Sequence, residues 1–218
     1  MGLSGLKPRR ISDYRLFIFD WDGTLNSMRL TLRINEAVKR SLHMWNRDSD
    51  IKDVSKMDYD MKKRLEREVR KNNMQTFIFD ILLNFSSPTL HNDTVKLLKR
   101  LRQDGKKIAL FSNGRSARVV KELKYFGITG YFDMIVSARD IHALKPNPTG
   151  LKAITDSMKI RPYESLYIGD MVDDIITAKL ANVHSCAVAD GFDSYHILKS
   201  ARPDHIFKSI EEMLRAMK

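Results

Sequence analysis

The sequence predicts an α/β protein in which a parallel sheet is covered by helices on both faces and interrupted after its first strand by a helical insert. Short apolar runs alternate with helical patterns at about 15–19 and again from about residue 107 onward. Apolar runs of this kind are typical of buried parallel strands, which crossover helices connect. Over residues 26–90, apolar residues recur at helical spacing instead. We therefore expect one α/β domain, formed by 1–25 and 91–218, and one smaller all-helical unit.

Six apolar runs predict the strands of the sheet, and helical patterns with caps and stop signals separate most of them. Together they predict a doubly wound, Rossmann-like core. The runs are LFIF at 16–19, KIALF at 107–111, DMIVS at 133–137, SLYIG at 165–169, CAVA at 186–189 and HIF at 205–207. The helices are predicted from Asn92 or Asp93 to Gly105, over 118–126, from Pro148 to before Pro162, from Asp173 or Asp174 to 181, and from Ser209 onward.

The insert is predicted from three apolar stripes at helical spacing, with breaks at NRDSDIKD and KNN and an end at SSP. The stripes are Ile34, Ala37, Val38, Leu42 and Trp45; Met61, Leu65 and Val69; and Met74, Phe77, Ile78, Ile81, Leu82 and Phe85.

The composition restricts the classes of partner and location. The net charge of +11 predicts attraction to an anion, which could be nucleic acid, an anionic membrane surface or a phosphorylated metabolite. No apolar stretch approaches the length of a membrane span, and the first ten residues lack the apolar core of a signal peptide. The single cysteine, Cys186, excludes an internal disulfide, and its apolar surroundings predict buried packing. We therefore expect a cytoplasmic protein with no membrane partner.

Polar residues follow four of the predicted strands. In an open parallel sheet, ligands bind outside the carboxyl ends of the strands, so these residues are expected to meet at one rim. The first strand leads into Asp20, Trp21 and Asp22, the second into Ser112, Asn113 and Gly114, the third through a loop into Lys145, and the fourth into Asp170, Asp173 and Asp174.

The residue types at this rim suit phosphoryl transfer. Several carboxylates brought together resist ionising unless a cation compensates them, and Mg²⁺ is the simplest hard cation for oxygen ligands. The Lys145 ammonium, the Ser112 hydroxyl and backbone N–H groups suit the oxygens of a bound phosphoryl group. One aspartate is then free to attack phosphorus, and a second, two residues away, can act as acid and base. Taken singly, each motif also fits an ordinary turn or rigid loop.

Four motifs of the chain resemble those of the haloacid dehalogenase superfamily. The insert after the first motif resembles the helical cap of the phosphoglycolate phosphatase-like branch, so residues 26–90 would be a cap on the α/β core. The motifs are DWDGTL at 20–25, SNG at 112–114, KPNP at 145–148 and GDMVDD at 169–174.

This resemblance implies a role for each matching acid. Asp20 would be the nucleophile that becomes phosphorylated, with its other oxygen on Mg²⁺. Asp22 would protonate the leaving group, activate the hydrolytic water and offer its backbone carbonyl to the metal. Asp170 would ligate Mg²⁺, and Asp174 matches the second acidic metal position. Asp173 is an additional acid to which the resemblance assigns no role.

The resemblance also implies how the phosphate is held. Ser112 and Lys145 would bind the phosphoryl group, while Thr24 and Asn113 would support the loops and the phosphate contacts. Arg115, directly after SNG, either reaches the substrate or solvates a helix start. Trp21 is expected to be a packing residue or a neighbour of the cap.

The function implied is a Mg²⁺-dependent phosphatase acting on a small anionic phosphorylated metabolite, with 2-phosphoglycolate as the leading substrate. The acid at Asp22 argues against dehalogenation and phosphonate cleavage, but a sugar phosphomutase needs the same acids and stays open. A nucleic-acid-associated or non-catalytic phosphate-binding module is the alternative of another class, although no basic motif interleaved with aromatic residues supports base stacking. The expected oligomeric state is a monomer or a homodimer.

Overall fold

The computed structural model describes residues 8–27 and 88–217. The chain divides into two compact units, Met1–Ser27 with Leu90–Lys218 and Met28–Thr89. The three apolar stripes of the predicted helical insert lie outside the described residues. The helical character of residues 28–87 stays a prediction, but the two ends of the predicted insert, Asn26–Ser27 and Thr89–Leu90, form short strands instead of helix.

A six-stranded parallel sheet forms the centre of the first unit. Its strand order is β5-β4-β1-β6-β7-β8, which places the first strand in the interior of the sheet. Phe19, the last residue of that strand, lies in register with Leu110 on one side and Ile168 on the other. The strands are β1 (Leu16–Phe19), β2 (Asn26–Ser27), β3 (Thr89–Leu90), β4 (Lys107–Ser112), β5 (Met134–Ser137), β6 (Ser165–Gly169), β7 (His184–Val188) and β8 (His205–Phe207); β2 and β3 pair in a separate two-stranded sheet.

Helices pack against both faces of the sheet, as the sequence predicts. Alternate residues of β1 point to opposite faces, so Phe17 and Phe19 join one apolar cluster while Leu16 and Ile18 join another. The first cluster holds residues of α1, α2 and α6, and the second holds residues of α3 and α4. The described helices are α1 (Thr94–Gln103), α2 (Ser116–Tyr125), α3 (Thr149–Met158), α4 (Val172–Ala181), α5 (Tyr195–Ser200) and α6 (Ile210–Ala216).

The buried thiol of Cys186 lies within the first cluster, on β7. Burial raises the pKa of this thiol far above its ordinary value, which makes the reactive thiolate form scarce. The packing role predicted for this cysteine is confirmed. Among the described residues, none of the helices is long and apolar enough to cross a membrane.

Asp204 joins the amino ends of β7 and β8. Its Oδ2 accepts hydrogen bonds from the Ser185 backbone N–H at 2.8 Å and from the Ser185 hydroxyl at 2.9 Å. His184 Nδ1 lies 3.4 Å from the other carboxylate oxygen. Burial alone would raise the pKa of Asp204, but the nearby His184 ring and the hydrogen bonds from Ser185 outweigh burial and lower that pKa to about 2.

Replacing Asp204 by alanine is expected to lower the free energy of unfolding at pH 7 by about 1–2 kcal/mol. A carboxyl whose pKa is depressed in the folded state stabilises the fold above its unfolded pKa, and this contribution disappears as the pH falls toward the folded pKa. The difference between wild type and Asp204→Ala should therefore shrink from pH 4 toward pH 2. Urea unfolding of both proteins across this range measures it, and a constant difference would contradict the assignment.

Candidate active site

The carboxyl ends of three adjacent strands bring the predicted acids and the SNG motif to one rim. Asp20 follows β1 directly, Ser112 is the last residue of β4, and Asp170 follows β6. Because β1 lies between β4 and β6, the central strand places Asp20 between the other two groups. The Asp20 backbone N–H also donates to the Ile168 carbonyl at 2.8 Å, which extends the β1–β6 pairing to this residue.

Lys145 reaches this rim from the loop between β5 and α3. Its Nζ donates to Asp20 Oδ1 and to Asp174 Oδ1, each at 2.7 Å, and its side chain is only 5% exposed. Burial alone would lower the pKa of Lys145, but the carboxylates of Asp174 and Asp20 outweigh burial and raise it. The ammonium is thus a fixed positive charge that bridges two of the predicted site acids.

Asp174 is held in place by its own helix and by the neighbouring strand. Its Oδ2 accepts from the Met171 backbone N–H at 3.0 Å, at the first turn of α4. Its Oδ1, which faces Lys145, also accepts from the Tyr167 hydroxyl at 3.0 Å. These contacts direct one carboxylate oxygen toward Lys145 and the other toward the helix start.

Asp170 is fully buried. The Thr24 hydroxyl donates to its Oδ1 at 2.8 Å, and the Phe192 backbone N–H donates to its Oδ2 at 2.7 Å. Thr24 lies 146 positions before Asp170 in the sequence and helps to hold the Asp170 carboxylate in place. Direct contact between Thr24 and phosphate stays a prediction.

Asp20, Asp170 and Asp174 form a buried cluster, in which one oxygen from each carboxylate lies within 4.8 Å of the others. Burial raises the pKa of Asp20 to about 7, although Lys145 opposes the shift. Burial also raises the pKa of Asp170 well above its ordinary value, and Asp20 and Asp174 add to the shift. Acids in such surroundings ionise readily only beside additional positive charge. An all-oxygen, carboxylate donor set fits a hard divalent cation.

Two hydrogen bonds order the SNG motif, one within the motif and one to the loop that carries Lys145. Ser112 Oγ accepts from the Gly114 backbone N–H at 3.0 Å, and Asn113 Oδ1 accepts from the Lys145 backbone N–H at 2.9 Å. Asn113 therefore fixes the loop that carries the ammonium. Phosphate binding by Ser112, Asn113 and Lys145 stays a prediction.

Asp22 contacts Arg118, a residue that none of the four sequence motifs contains. Arg118, in the first turn of α2, donates through Nη1 to Asp22 Oδ1 at 2.9 Å and through Nη2 to Oδ2 at 2.5 Å. Its Nη1 also lies 3.1 Å from both carboxylate oxygens of Glu122. The i,i+4 spacing of Arg118 and Glu122 predicts an ion pair on the helix. The contact between Arg118 and Asp22 spans 96 positions, so no local sequence pattern predicts it.

Trp21, which stands between Asp20 and Asp22 in the sequence, is fully buried. The centroid of its ring lies 6.3 Å from that of the Phe126 ring. Its Nε1 donates to Glu122 Oε2 at 2.5 Å. The loop after β1 is thus tied to α2 at two consecutive residues. Arg115, in contrast, is exposed at the residue before α2, and Asp173 lies half-buried in the first turn of α4.

A family model described as haloacid dehalogenase-like hydrolase matches residues 17–188. This range includes the acids, the SNG motif and the lysine that meet at the rim. The chain belongs to the haloacid dehalogenase-like hydrolase family. The resemblance stated from the four motifs is therefore confirmed.

This family member is similar to known phosphatases over part of its length. It is 33% identical over 122 residues to the phosphoglycolate phosphatase of Vibrio vulnificus, which covers 56% of this chain and 54% of that protein. It is 28% identical over 117 residues to the pyrophosphatase PpaX of Halalkalibacterium halodurans, which covers 54% of each protein. The matched stretches span about half the length of these relatives.

The fold of this haloacid dehalogenase-like chain matches those of solved structures almost over its whole length. The crystal structure of a predicted phosphatase from Clostridium acetobutylicum matches with a TM-score of 0.69 at 23% identity, covering 93% of this chain and 97% of that one. The predicted parallel α/β architecture is thereby confirmed.

Proposed function

We propose that this chain is a phosphatase that hydrolyses a small phosphorylated metabolite through a phosphoryl group carried on Asp20. The observation that supports it is the carboxylate of Asp20 at the end of β1. It lies 2.7 Å from the Lys145 ammonium and in one cluster with Asp170 and Asp174. Carboxylates act as nucleophiles toward phosphorus when they are ionised and correctly placed.

In the first step, an Asp20 oxygen attacks the phosphorus atom and the bond from phosphorus to the leaving oxygen breaks. The leaving oxygen takes the proton of the Asp22 carboxyl group, so the product departs as an alcohol or acid rather than as a strongly basic anion. Lys145 stabilises the ionised Asp20 before attack, and its ammonium suits the oxygens of the transferred group.

In the second step, water attacks the phosphorus of the aspartyl phosphate. Asp22, now ionised, accepts a proton from that water, and the bond between phosphorus and the Asp20 oxygen breaks. Inorganic phosphate leaves, and both aspartates return to their starting forms. One acid thus serves first as proton donor and then as proton acceptor.

Mg²⁺ is the proposed cofactor. Asp20, Asp170, Asp174 and the Asp22 backbone carbonyl would hold it. When bound, the ion would neutralise charge on the phosphoryl oxygens and on the carboxylates. Thr24 and the Phe192 backbone N–H orient the Asp170 carboxylate toward this role, because each already hydrogen-bonds one of its oxygens.

The proposed substrate class is a small anionic phosphate compound, with 2-phosphoglycolate as the leading candidate. The similarity to a phosphoglycolate phosphatase supports this choice, and the similarity to a pyrophosphatase makes inorganic pyrophosphate the second compound to assay. The net charge of +11 favours approach of either anion. The oligomeric state and the cytoplasmic location stay predictions.

A screen of phosphorylated metabolites, with phosphate release as the readout, tests the proposal. We expect release that requires Mg²⁺ and stops with EDTA. Conversion of a sugar phosphate to its isomer without phosphate release would favour the phosphomutase. Tight, salt-sensitive binding of labelled DNA or RNA with no turnover would favour the binding module.

Replacing Arg118 by methionine is expected to lower kcat about tenfold while KM stays near the wild-type value. General acid–base catalysis contributes roughly 10²–10⁴-fold, and Asp22 would lose the two-point contact that orients its ionised carboxylate for the second step. Arg118→Lys should give an intermediate value, because lysine keeps the charge without the planar fork. Steady-state kinetics with Lys121→Met, an exposed residue of α2, as the matched control measures the effect. Equal losses in Arg118→Met and Lys121→Met would contradict this role.

A further inference from the structure

His91 joins two loops that lie at the rim of the sheet. It follows β3, and its side chain is only 3% exposed. Its Nε2 lies 3.1 Å from the Gly23 carbonyl oxygen, in the loop after β1. Its Nδ1 lies 3.1 Å from Asp190 Oδ2, in the loop after β7. A single buried ring thus spans two loops that are far apart in the sequence.

Both partner atoms of His91 are hydrogen-bond acceptors. A ring nitrogen of His91 that carries a hydrogen donates to the oxygen that faces it. The backbone of His91 adds a third contact, because its N–H donates to the Leu25 carbonyl at 3.0 Å. The residue therefore holds the loop after β1 at two positions, on either side of Thr24.

The two loops that His91 joins lie directly against the Asp170 carboxylate. A Cβ atom at Gly23 would lie 2.3 Å from Asp170 Oδ2, and one at Gly191 would lie 2.1 Å from the same oxygen. The Gly191 position also lies close to the other loop, since its Cβ would be 2.5 Å from the Gly23 carbonyl oxygen. Neither loop has room for a methyl group, so the Asp170 carboxylate is confined between two glycine backbones.

We propose that His91 is a positioning residue for the metal site. It clamps the Gly23 and Gly191 loops together and so fixes Asp170, although it touches none of the three clustered acids in any of the hydrogen bonds described. This inference rests on the proposed function, because it requires that Asp170 ligates a divalent cation. Residues that orient metal ligands typically change metal affinity 10–100-fold when they are replaced.

Binding of Mn²⁺, followed by the loss of the free-ion EPR signal, tests this role in the absence of substrate. His91→Phe keeps an aromatic ring and removes both ring nitrogens, and it is expected to weaken Mn²⁺ binding about tenfold. Asp190→Ala, at an exposed carboxylate, removes one contact and should weaken binding in the same direction by a smaller factor. His184→Phe is the matched control, because this equally buried histidine lies at the start of β7, the opposite end of that strand from Asp190.

The outcomes separate this inference from the proposed function. Weaker Mn²⁺ binding in His91→Phe and Asp190→Ala, with wild-type binding in His184→Phe, supports the clamp. Wild-type Mn²⁺ binding in His91→Phe or in Asp190→Ala overturns it while leaving the metal site intact. A wild-type protein that binds no Mn²⁺ overturns the metal part of the proposed function and the clamp with it. If His91→Phe does not fold, Asp190→Ala decides between the first two results.

Discussion

Replacing Asp20 by asparagine is expected to abolish phosphate release, with a loss of roughly a thousandfold or more, because removal of a catalytic nucleophile has effects of at least this size. An amide is a poor nucleophile, so neither the attack on phosphorus nor the phosphorylated intermediate is available. The fold should survive, since asparagine has nearly the same shape and removes one charge from a buried acidic cluster. We expect a Tm at or above that of the wild type.

Phosphate release from the best substrate of the screen, together with thermal unfolding, measures both effects. Asp13→Asn is the matched control, because Asp13 is an exposed aspartate shortly before β1 and outside the site. This control should retain wild-type release. Mg²⁺-dependent release from Asp20→Asn at the wild-type rate would show that the nucleophile is another group.

Replacing Lys145 by methionine is expected to have the second largest effect, on both activity and stability. The change leaves Asp20 and Asp174 buried without the ammonium that lies 2.7 Å from each. Breaking a buried ion pair on one side typically costs 3–5 kcal/mol, so we expect the free energy of unfolding in EDTA to fall by about 3 kcal/mol. Activity should fall at least about a hundredfold, as for other lost charge-stabilising donors.

The stability loss should be smaller in Mg²⁺ than in EDTA. A divalent cation bound by the same acids would replace part of the missing positive charge, and binding to the folded state alone stabilises it. Urea unfolding of Lys145→Met with and without Mg²⁺ measures the recovery. Lys152→Met, on the exposed side of α3, controls for loss of a lysine charge and should unfold like the wild type. An unchanged free energy of unfolding in EDTA would contradict the ion-pair assignment.

The strands could be predicted from the sequence because their apolar runs are local signals. Phe17 and Ile18 belong to one continuous run, and the structure places them on opposite faces of the same buried strand. The start of β7 was harder to predict. His184 and Ser185 interrupt the apolar pattern, so the sequence predicts a strand that begins only at Cys186. The structure begins this strand at His184, because Asp204 supplies polar partners at those buried positions.

The sequence predicts the positions of those site residues that the order of the strands alone determines. Asp20, Ser112 and Asp170 lie at the carboxyl ends of adjacent parallel strands, so the α/β pattern alone predicts that they meet at one rim. Arg118 and His91 could not be found in the same way. Asp22 lies 96 positions from Arg118, Gly23 lies 68 positions from His91, and neither Arg118 nor His91 stands in a motif. The short helix α5, which begins after Ser194, is also absent from the helices that the sequence predicts.

Trapping the phosphorylated enzyme tests the central claim most directly. The protein is mixed with its best substrate and Mg²⁺, quenched during turnover and treated with borohydride, which reduces an aspartyl phosphate to homoserine. Peptide mapping by mass spectrometry then locates the reduced residue. Homoserine at position 20, and its absence when substrate is omitted, is the predicted result. Rapid turnover with homoserine at another position, or with unmodified Asp20 throughout, would contradict the proposed role of this aspartate.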